Sequence, residues 1–290
     1  MRSWPLSLFC LALIAATGVF VAGADGPGDP RKPGLQLYSL RREMAKDRAA
    51  GLAEAKKMGF TEVEGGLLGP PVADVKAELA AAGLTMTSGG ASYENFRDHL
   101  PEIIANAKAL GVKYAMCAWI PHQGDFTAAD AAKAAADFNA WGAKLAAEGI
   151  TFAYHPHGYE FSPATVDAPP KMTLFDQLVR ATDPKFVAFE MDVFWVTHGG
   201  ADPVALLRRY PKRWVMLHLK DMRKGTPTGL FTGSAPEETN VPIGTGMIDY
   251  VSVLREAKKQ GVAHYYIEDE SPIPLEQIPL SLKYLAGLTL

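Results

Sequence analysis

The stretch Glu148-Gly149-Ile150-Thr151-Phe152-Ala153-Tyr154-His155-Pro156-His157-Gly158-Tyr159-Glu160 sets out the pattern on which the whole chain is built. An Ala/Lys-rich helical stretch ends in a glycine, an apolar run follows, and the run then turns polar. A glycine just past a helix takes the left-handed conformation that terminates it. A short, near-continuous apolar run is what a parallel strand buried on both faces requires. The pattern recurs at Lys57-Met58-Gly59 before Phe60 to Val63, and at Ala82-Gly83 before Leu84 to Thr87. It returns at Leu110-Gly111 before Val112 to Met116, and at Gln260-Gly261 before Val262 to Ile267. Two further runs, Phe186 to Met191 and Trp214 to Leu219, begin after Pro-Lys pairs, and Leu35 to Leu40 opens the series.

About eight strands alternating with helices predict right-handed βαβ units and a closed parallel barrel, a single (β/α)8 TIM barrel over residues 34–290. A doubly wound open sheet is the structural alternative. It would carry a nucleotide site after the first strand, but Tyr38-Ser39-Leu40-Arg41-Arg42 holds no Gly-rich phosphate fingerprint. The longest irregular region, residues 222–248, follows the seventh strand. In a barrel it is expected over the C-terminal face, where active sites lie.

Arg2, the uncharged apolar run Leu6 to Ala22 and the triplet Ala22-Gly23-Ala24 have the layout of a cleaved signal peptide, residues 1–24. The run is too short for a comfortable membrane span and lacks a basic stop-transfer flank, so no stable membrane insertion is expected after cleavage. Residues 25–33, rich in Pro and Gly, read as a flexible linker. The implied localisation is export across the inner membrane, into a periplasm. With a formal net charge of −3, the chain lacks the basic surface that nucleic-acid binding needs. Cys117 is the one cysteine beyond the leader and lies in an apolar run, as an inert buried thiol would.

Chemistry concentrates where the later strands end. The fifth ends in Tyr154-His155-Pro156-His157, the sixth in Phe189-Glu190-Met191-Asp192, the seventh in Leu217-His218-Leu219-Lys220-Asp221, and the eighth in Ile267-Glu268-Asp269-Glu270. Strand alternation puts His155 with His157, Glu190 with Asp192, His218 with Lys220 and Glu268 with Glu270 on shared faces. Any one of these residues alone is more often a hydrogen-bonded structural group or a turn former. Four successive apolar strands have no structural reason to finish this way together. Histidine with several carboxylates suits one divalent ion, Mn, Co, Mg or Zn, with open positions. Such an ion lowers the cost of forming an enediolate beside a carbonyl. Trp119, Trp195, Phe126 and Tyr159 are candidates to stack on a sugar ring, Trp195 foremost because it follows Asp192. His122 and His198 fall in loops at the same face, whereas His99 and His264 match no cluster.

Five ordered segments carry a likeness to a known family: Leu35 to Arg41, Tyr154 to Phe161, Met191 to Val196, Leu217 to Asp221, and Val241 to Asp249. Together they resemble the xylose-isomerase-like TIM-barrel superfamily and, within it, the sugar phosphate isomerase/epimerase branch. The resemblance implies a metal held by Asp192, His218, Glu268 and a fifth-strand glutamate. The position inside that strand is Ala153 or Tyr154 here, so Glu160 is the nearest carboxylate, with His155 or His157 as alternative ligands. It also implies acid/base work by the metal-bound glutamates Glu160 and Glu268, with shares open to His157, Lys220 and Glu270. His155, Trp119, Trp195 and Glu270 are expected to contact substrate.

The implied function is an exported, metal-dependent sugar isomerase or epimerase working through an enediolate next to a ketone. Sugar phosphates are rare outside the cytoplasm and no helix-N-terminal anion site is evident, so a non-phosphorylated sugar is expected. A lyase or hydratase on keto-sugars is the close alternative, and a non-catalytic sugar-binding barrel the further one. A metal-dependent nuclease on this fold would need a basic groove. Oligomeric state is not legible.

Overall fold

A computed structural model describes residues 26–164 and 172–290. Residues 1–24, expected to be a signal peptide, lie outside the described residues. From Gly26 on, the expected linker is docked: the Gly28 amide donates to the Val262 carbonyl at 3.0 Å, and Pro30 is buried.

Eight parallel strands close into one barrel. They are β1 (Gly34–Gln36), β2 (Glu62–Gly66), β3 (Thr85–Gly90), β4 (Tyr114–Cys117), β5 (Thr151–Tyr154), β6 (Val187–Asp192), β7 (Trp214–Leu219) and β10 (His264–Ile267). Each pairs with its sequence neighbour, and β1 pairs with β10 to close the ring. The open-sheet alternative is thereby excluded. A small antiparallel ribbon, β8 (Asp221–Met222) with β9 (Asn240–Val241), stands outside the barrel.

The opening run differs from its expected reading. Leu35 to Leu40 is strand only as far as Gln36, and Leu37–Leu40 is a 3₁₀ turn. The Gln36 side chain accepts from the Tyr38 amide at 3.1 Å, capping that turn and ending the strand. The predicted glycine stops hold: Gly111 (φ +76°) and Gly261 (φ +80°) terminate the helices Leu100–Leu110 and Tyr250–Gln260 in the left-handed region.

Between strands and helices the core is aromatic. Phe96, Phe138, Trp141 and Phe152 pack with ring centroids 4.9–6.0 Å apart, joining the helix Ala128–Ala147 to β5. Phe175 stacks on Trp214 at 5.4 Å on the far side. These walls fix the strand ends that carry the site. Among the described residues no helix is long and apolar enough to cross a membrane.

Two register slips matter for the site. In β3, Val63 faces Met86 but Glu64 faces Ser88; in β7, Phe189 faces Trp214 but Glu190 faces Met216. A bulge of this kind re-aims the side chains beside it. Each slip immediately precedes a fully buried glutamate, Glu64 or Glu190.

Candidate active site

A cavity of about 660 Å³ opens at the C-terminal ends of the strands. His155, His157, Trp195, His218, Glu268 and Glu270 line one half, and Gln36, Leu37, Gly65, Gly66, Gly90 and Met116 lie among the residues of the other. Trp119 reaches the cavity from the loop after β4 and stays 41% exposed.

The polar half is a buried charge cluster. His155, Asp192 and His218 bring one ligand atom each within 4.8 Å of one another, as do Glu64, Glu190 and His218. Asp192 lies level with His218 across the β6–β7 pair. Each histidine has one nitrogen on a deep glutamate and the other turned to a second carboxylate. His155 Nδ1 lies 3.2 Å from Glu190, and its Nε2 is 3.9 Å from Asp192 Oδ2. His218 Nε2 lies 2.7 Å from Glu64 and 3.3 Å from Glu190, and its Nδ1 is 3.4 Å from Glu268. Gln36 and Ser88 donate to Glu64 from the neighbouring strands and fix its carboxylate in turn.

Asp192 does two jobs. Its Oδ1 accepts from the amides of Phe194 (2.7 Å) and Trp195 (3.1 Å), capping the helix Val193–His198. Its Oδ2 is buried without a hydrogen-bond partner, as is His218 Nδ1. Buried unpaired polar atoms are costly and rare in folded proteins. Imidazoles oriented by an outer carboxylate, with the other nitrogen and two carboxylates converging, are the donor set of a divalent-metal site.

Lys220 sits against this set with 1% exposure, 3.4 Å from Glu268, 2.9 Å from Glu270 and 4.0 Å from Asp192. Its Nζ also lies 4.9 Å from the Trp195 ring centroid. Burial pulls its pKa down, but the three carboxylates outweigh burial and hold the ammonium well above the usual lysine value. Burial pushes Asp192 up to about 7 despite Lys220. Burial, then Glu64, pushes Glu190 up to about 8. Burial would raise Glu268, but Lys220 and His218 hold it well below the ordinary range. Burial and Lys220 lower His157 to about 4, so its imidazole is neutral at pH 7, with Nδ1 unpaired.

The structure thus gathers Asp192, His218, Glu268, Lys220, His155, His157, Glu270, Trp195 and Trp119 around one cavity. Glu160 is not brought to it. Gly158 turns the chain with φ +96°, and both Glu160 oxygens accept from the His157 amide at 3.1 Å, while the Tyr154 hydroxyl donates to one of them. Its carboxylate, pushed up to about 7 by burial, is engaged in this turn and belongs to neither ligand cluster. Tyr159 and Phe126 are buried behind Trp119, and His122 stacks on Trp119 at 5.3 Å. His198 lies in a helix and accepts loop amides through its carbonyl. His264 pairs with Glu62. Cys117 is buried, and burial pushes its thiol up to about 12, which leaves it inert.

Glu64, Gln36 and the full part of Glu190 escape a reading based on strand ends. Glu64 does carry a signal: it is a carboxylate two positions after Glu62 in a short strand, just ahead of the pair Gly65-Gly66. Alternation alone turns it inward once Val63 is placed in the outer core.

Residues 222–248 cross the cavity mouth, and Gly233, Ser234 and Ala235 line it. The Gly229 amide donates to the His198 carbonyl at 2.8 Å. Glu237 pairs with Arg41 at 2.8 Å and Arg42 at 2.6 Å, and Arg41 also donates to the Glu270 carbonyl at 3.1 Å. Glu237→Ala is expected to loosen this flap rather than the fold. Exposed ion pairs contribute at most about 1 kcal/mol each, so Tm stays near wild type while KM rises by up to about tenfold. Steady-state kinetics beside limited proteolysis of the flap checks this; an unchanged KM and cleavage rate would remove the clasp's role.

Comparisons with known proteins agree with this architecture. The model of the xylose isomerase-like TIM barrel family matches residues 52–288. A solved sugar phosphate isomerase/epimerase from Parabacteroides distasonis ATCC 8503 is 26% identical, with TM-score 0.72 over 94% of this chain and 99% of that one. Two more distant structures share the fold. One is the probable 3-DHS dehydratase AsbF from Bacillus anthracis (14% identity, TM-score 0.69, 89% of this chain and 100% of that one). The other is the IOLI protein with a binding zinc atom (18%, TM-score 0.64, 88% and 95%). An inosose dehydratase of Geobacillus kaustophilus (strain HTA426) is 46% identical over 48 residues, which span only 17% of this chain and 16% of that protein.

Proposed function

Because the chain belongs to the xylose isomerase-like TIM barrel family, a family of sugar isomerases, epimerases and related dehydratases, we propose that it is an exported, divalent-metal-dependent enzyme. It takes a proton from the carbon next to a ketone of a non-phosphorylated sugar and returns it. The observation that carries this reading is the pair of oriented histidines facing Asp192 and Glu268, with Asp192 Oδ2 and His218 Nδ1 left without partners. Export rests on the leader-like residues 1–24.

His155, Asp192, His218 and Glu268 would hold the ion; mixed imidazole and carboxylate donors admit Mn, Co, Mg or Zn. His155 stands here where Glu160 was expected, since Glu160 is committed to its own turn. The IOLI structure, which shares the fold, contains a zinc atom, and this supports a metal on this fold. When bound, such an ion polarises a carbonyl and stabilises negative charge that develops on it.

The chain's own residues do the rest. Glu270 lines the cavity with one oxygen on Lys220 and is placed to take the α-proton with the other. The Lys220 ammonium stands where negative charge would grow on the substrate oxygen. His157, neutral and with Nδ1 unpaired, is placed to hold a sugar hydroxyl. Trp195 and Trp119 flank the ring. The flap keeps bulk water off the site.

Returning the proton to the opposite face of the same carbon gives an epimer; delivering it to the former carbonyl carbon, while the α-hydroxyl proton passes to the former carbonyl oxygen, gives an isomer. Loss of a β-hydroxyl instead gives dehydration. That second reading is favoured by the short match to an inosose dehydratase and by the dehydratase among the structural neighbours.

The test is solvent exchange. Mn²⁺-loaded protein in D₂O, given a panel of free ketosugars and 3-ketoglycosides, is expected to place deuterium at the α-carbon of at least one. No deuterium uptake and no elimination product across the panel would sink the enzyme reading in favour of a sugar-binding barrel.

A further inference from the structure

The half of the cavity opposite the charge cluster carries no charged side chain, and its polar ones are Gln36, engaged with Glu64 and the Tyr38 amide, and the exposed Tyr38. There β2 and β3 end in Gly65-Gly66 and Gly90, and the side chains between them are Leu37, Met44 and Met116. A hydroxyl lying on this side would meet no charged partner, whereas the other half is crowded with them. Behind it lies a second cavity of about 210 Å³, between β2 and the helix Val72–Ala82. Leu37, Met44, Gly65 and Gly66 belong to both cavities, so the partition is two partly buried flexible side chains and two glycines. Leu52, Leu68, Val75, Leu79 and Met86 line the inner chamber. The two charged groups there, Arg48 and Glu78, pair with each other at 2.7 Å and are not free to bind a polar ligand.

Resting on the reading of the main cavity as a sugar site, we infer that the inner chamber is a second subsite, which takes an apolar substituent of the substrate, an aryl ring or a branched alkyl group. The sugar part lies on the charged half, and its substituent points over the glycines into the chamber. Volume and lining both fit: an apolar cavity of about 150 Å³ already takes benzene. Free hexoses would leave this side unfilled. The glycines are what make the passage. A Cβ built on Gly66 would meet nothing nearer than the Leu68 carbonyl oxygen at 3.6 Å, so the backbone there accepts a larger residue, whose side chain is the probe of the passage.

The experiment compares kcat/KM for phenyl and methyl 3-keto-β-glucosides with the Mn²⁺-loaded protein. Wild type is expected to favour the phenyl compound by about tenfold or more, the size expected for burying one ring. Gly66→Leu, and Val75→Phe from the far wall, are expected to bring that ratio near one. A wild-type ratio near one overturns the subsite whatever the variants do, and so does a ratio that both folded variants leave unchanged. If neither glycoside reacts, the ketosugar reading is what has failed, and the chamber is judged directly by benzene diffused into crystals. Benzene in the inner chamber of wild type and absent from Gly66→Leu supports the subsite; an empty wild-type chamber overturns it.

Discussion

Lys220→Met is expected to lose roughly 10²- to 10³-fold in kcat and about 3 kcal/mol or more of metal-free stability. The kinetic loss follows from removing the side-chain cation that faces the reacting oxygen in the proposed mechanism. The stability loss follows from what remains. Lys220 is buried among Asp192, Glu268 and Glu270, and without it these carboxylates face one another with only the imidazoles of His155 and His218 beside them. Removing one member of a buried ion cluster leaves the others uncompensated, which costs more than the cluster itself contributes.

The pH dependence has a definite sign. In the variant the folded-state pKa values of Asp192, already raised by burial, and of Glu268 both move up, because the ammonium that lowers them is gone. A carboxyl group raised in this way is tolerated when protonated, and it loses stability as pH climbs from its unfolded toward its folded pKa. The deficit therefore grows from acid toward neutral pH and shrinks when a divalent ion is added. Thermal unfolding in EDTA across this range, repeated with Mn²⁺, measures both effects. A deficit independent of pH and metal would mean that Lys220 acts through packing on Trp195 alone.

Asp192→Asn should separate the two roles of that residue. Asparagine caps a helix about as well as aspartate, so the amides of Phe194 and Trp195 keep an acceptor and the fold is retained. The unpaired Oδ2 becomes an amide NH₂, which cannot bind a cation. Divalent-ion affinity is expected to fall at least about a hundredfold, and activity with it. Metal-free stability is expected to be no lower than wild type. Burial holds Asp192 at about 7 in the fold, above its unfolded value, so the wild-type carboxyl loses stability as pH rises between those values, and the full cost stands above about 7. Calorimetric Mn²⁺ titration beside Tm gives both numbers. Unaltered Mn²⁺ affinity would remove Asp192 from the site, and a collapsed fold would mean that the cap depends on the charge.

Much of this arrangement could be read before any coordinates. Glycine-stopped helices and doubly buried apolar runs belong to local physics, so strands such as Ile150 to Tyr154 and Trp214 to Leu219 announced themselves and fell within a residue or two of β5 and β7. Alternation likewise grouped His218 with Lys220 and Glu268 with Glu270, which meet around the cavity. The 222–248 segment could be placed over the mouth because only one end of a barrel carries the βα loops.

What escaped depended on contacts distant in sequence or on local irregularity. Glu64 matters because β2 and β7, more than 150 residues apart, place it 2.7 Å from His218. The register slips that precede Glu64 and Glu190 leave no mark in hydropathy. Glu160 looked available because counting along an extended chain keeps it near the strand end, while a left-handed turn at Gly158 folds it back onto the His157 amide. The end of β1 was hidden for a similar reason: an apolar run continues through the 3₁₀ turn that Gln36 caps.

The proposed metal site is best judged by elemental mass spectrometry on the purified protein after exhaustive dialysis and reloading, with His218→Ala in parallel. About one Mn, Co, Zn or Mg per wild-type chain, and none retained by the variant, is the expected result. A wild-type chain that takes up no divalent ion, or a variant that binds it equally well, would contradict the assignment of His155, Asp192, His218 and Glu268 as its ligands.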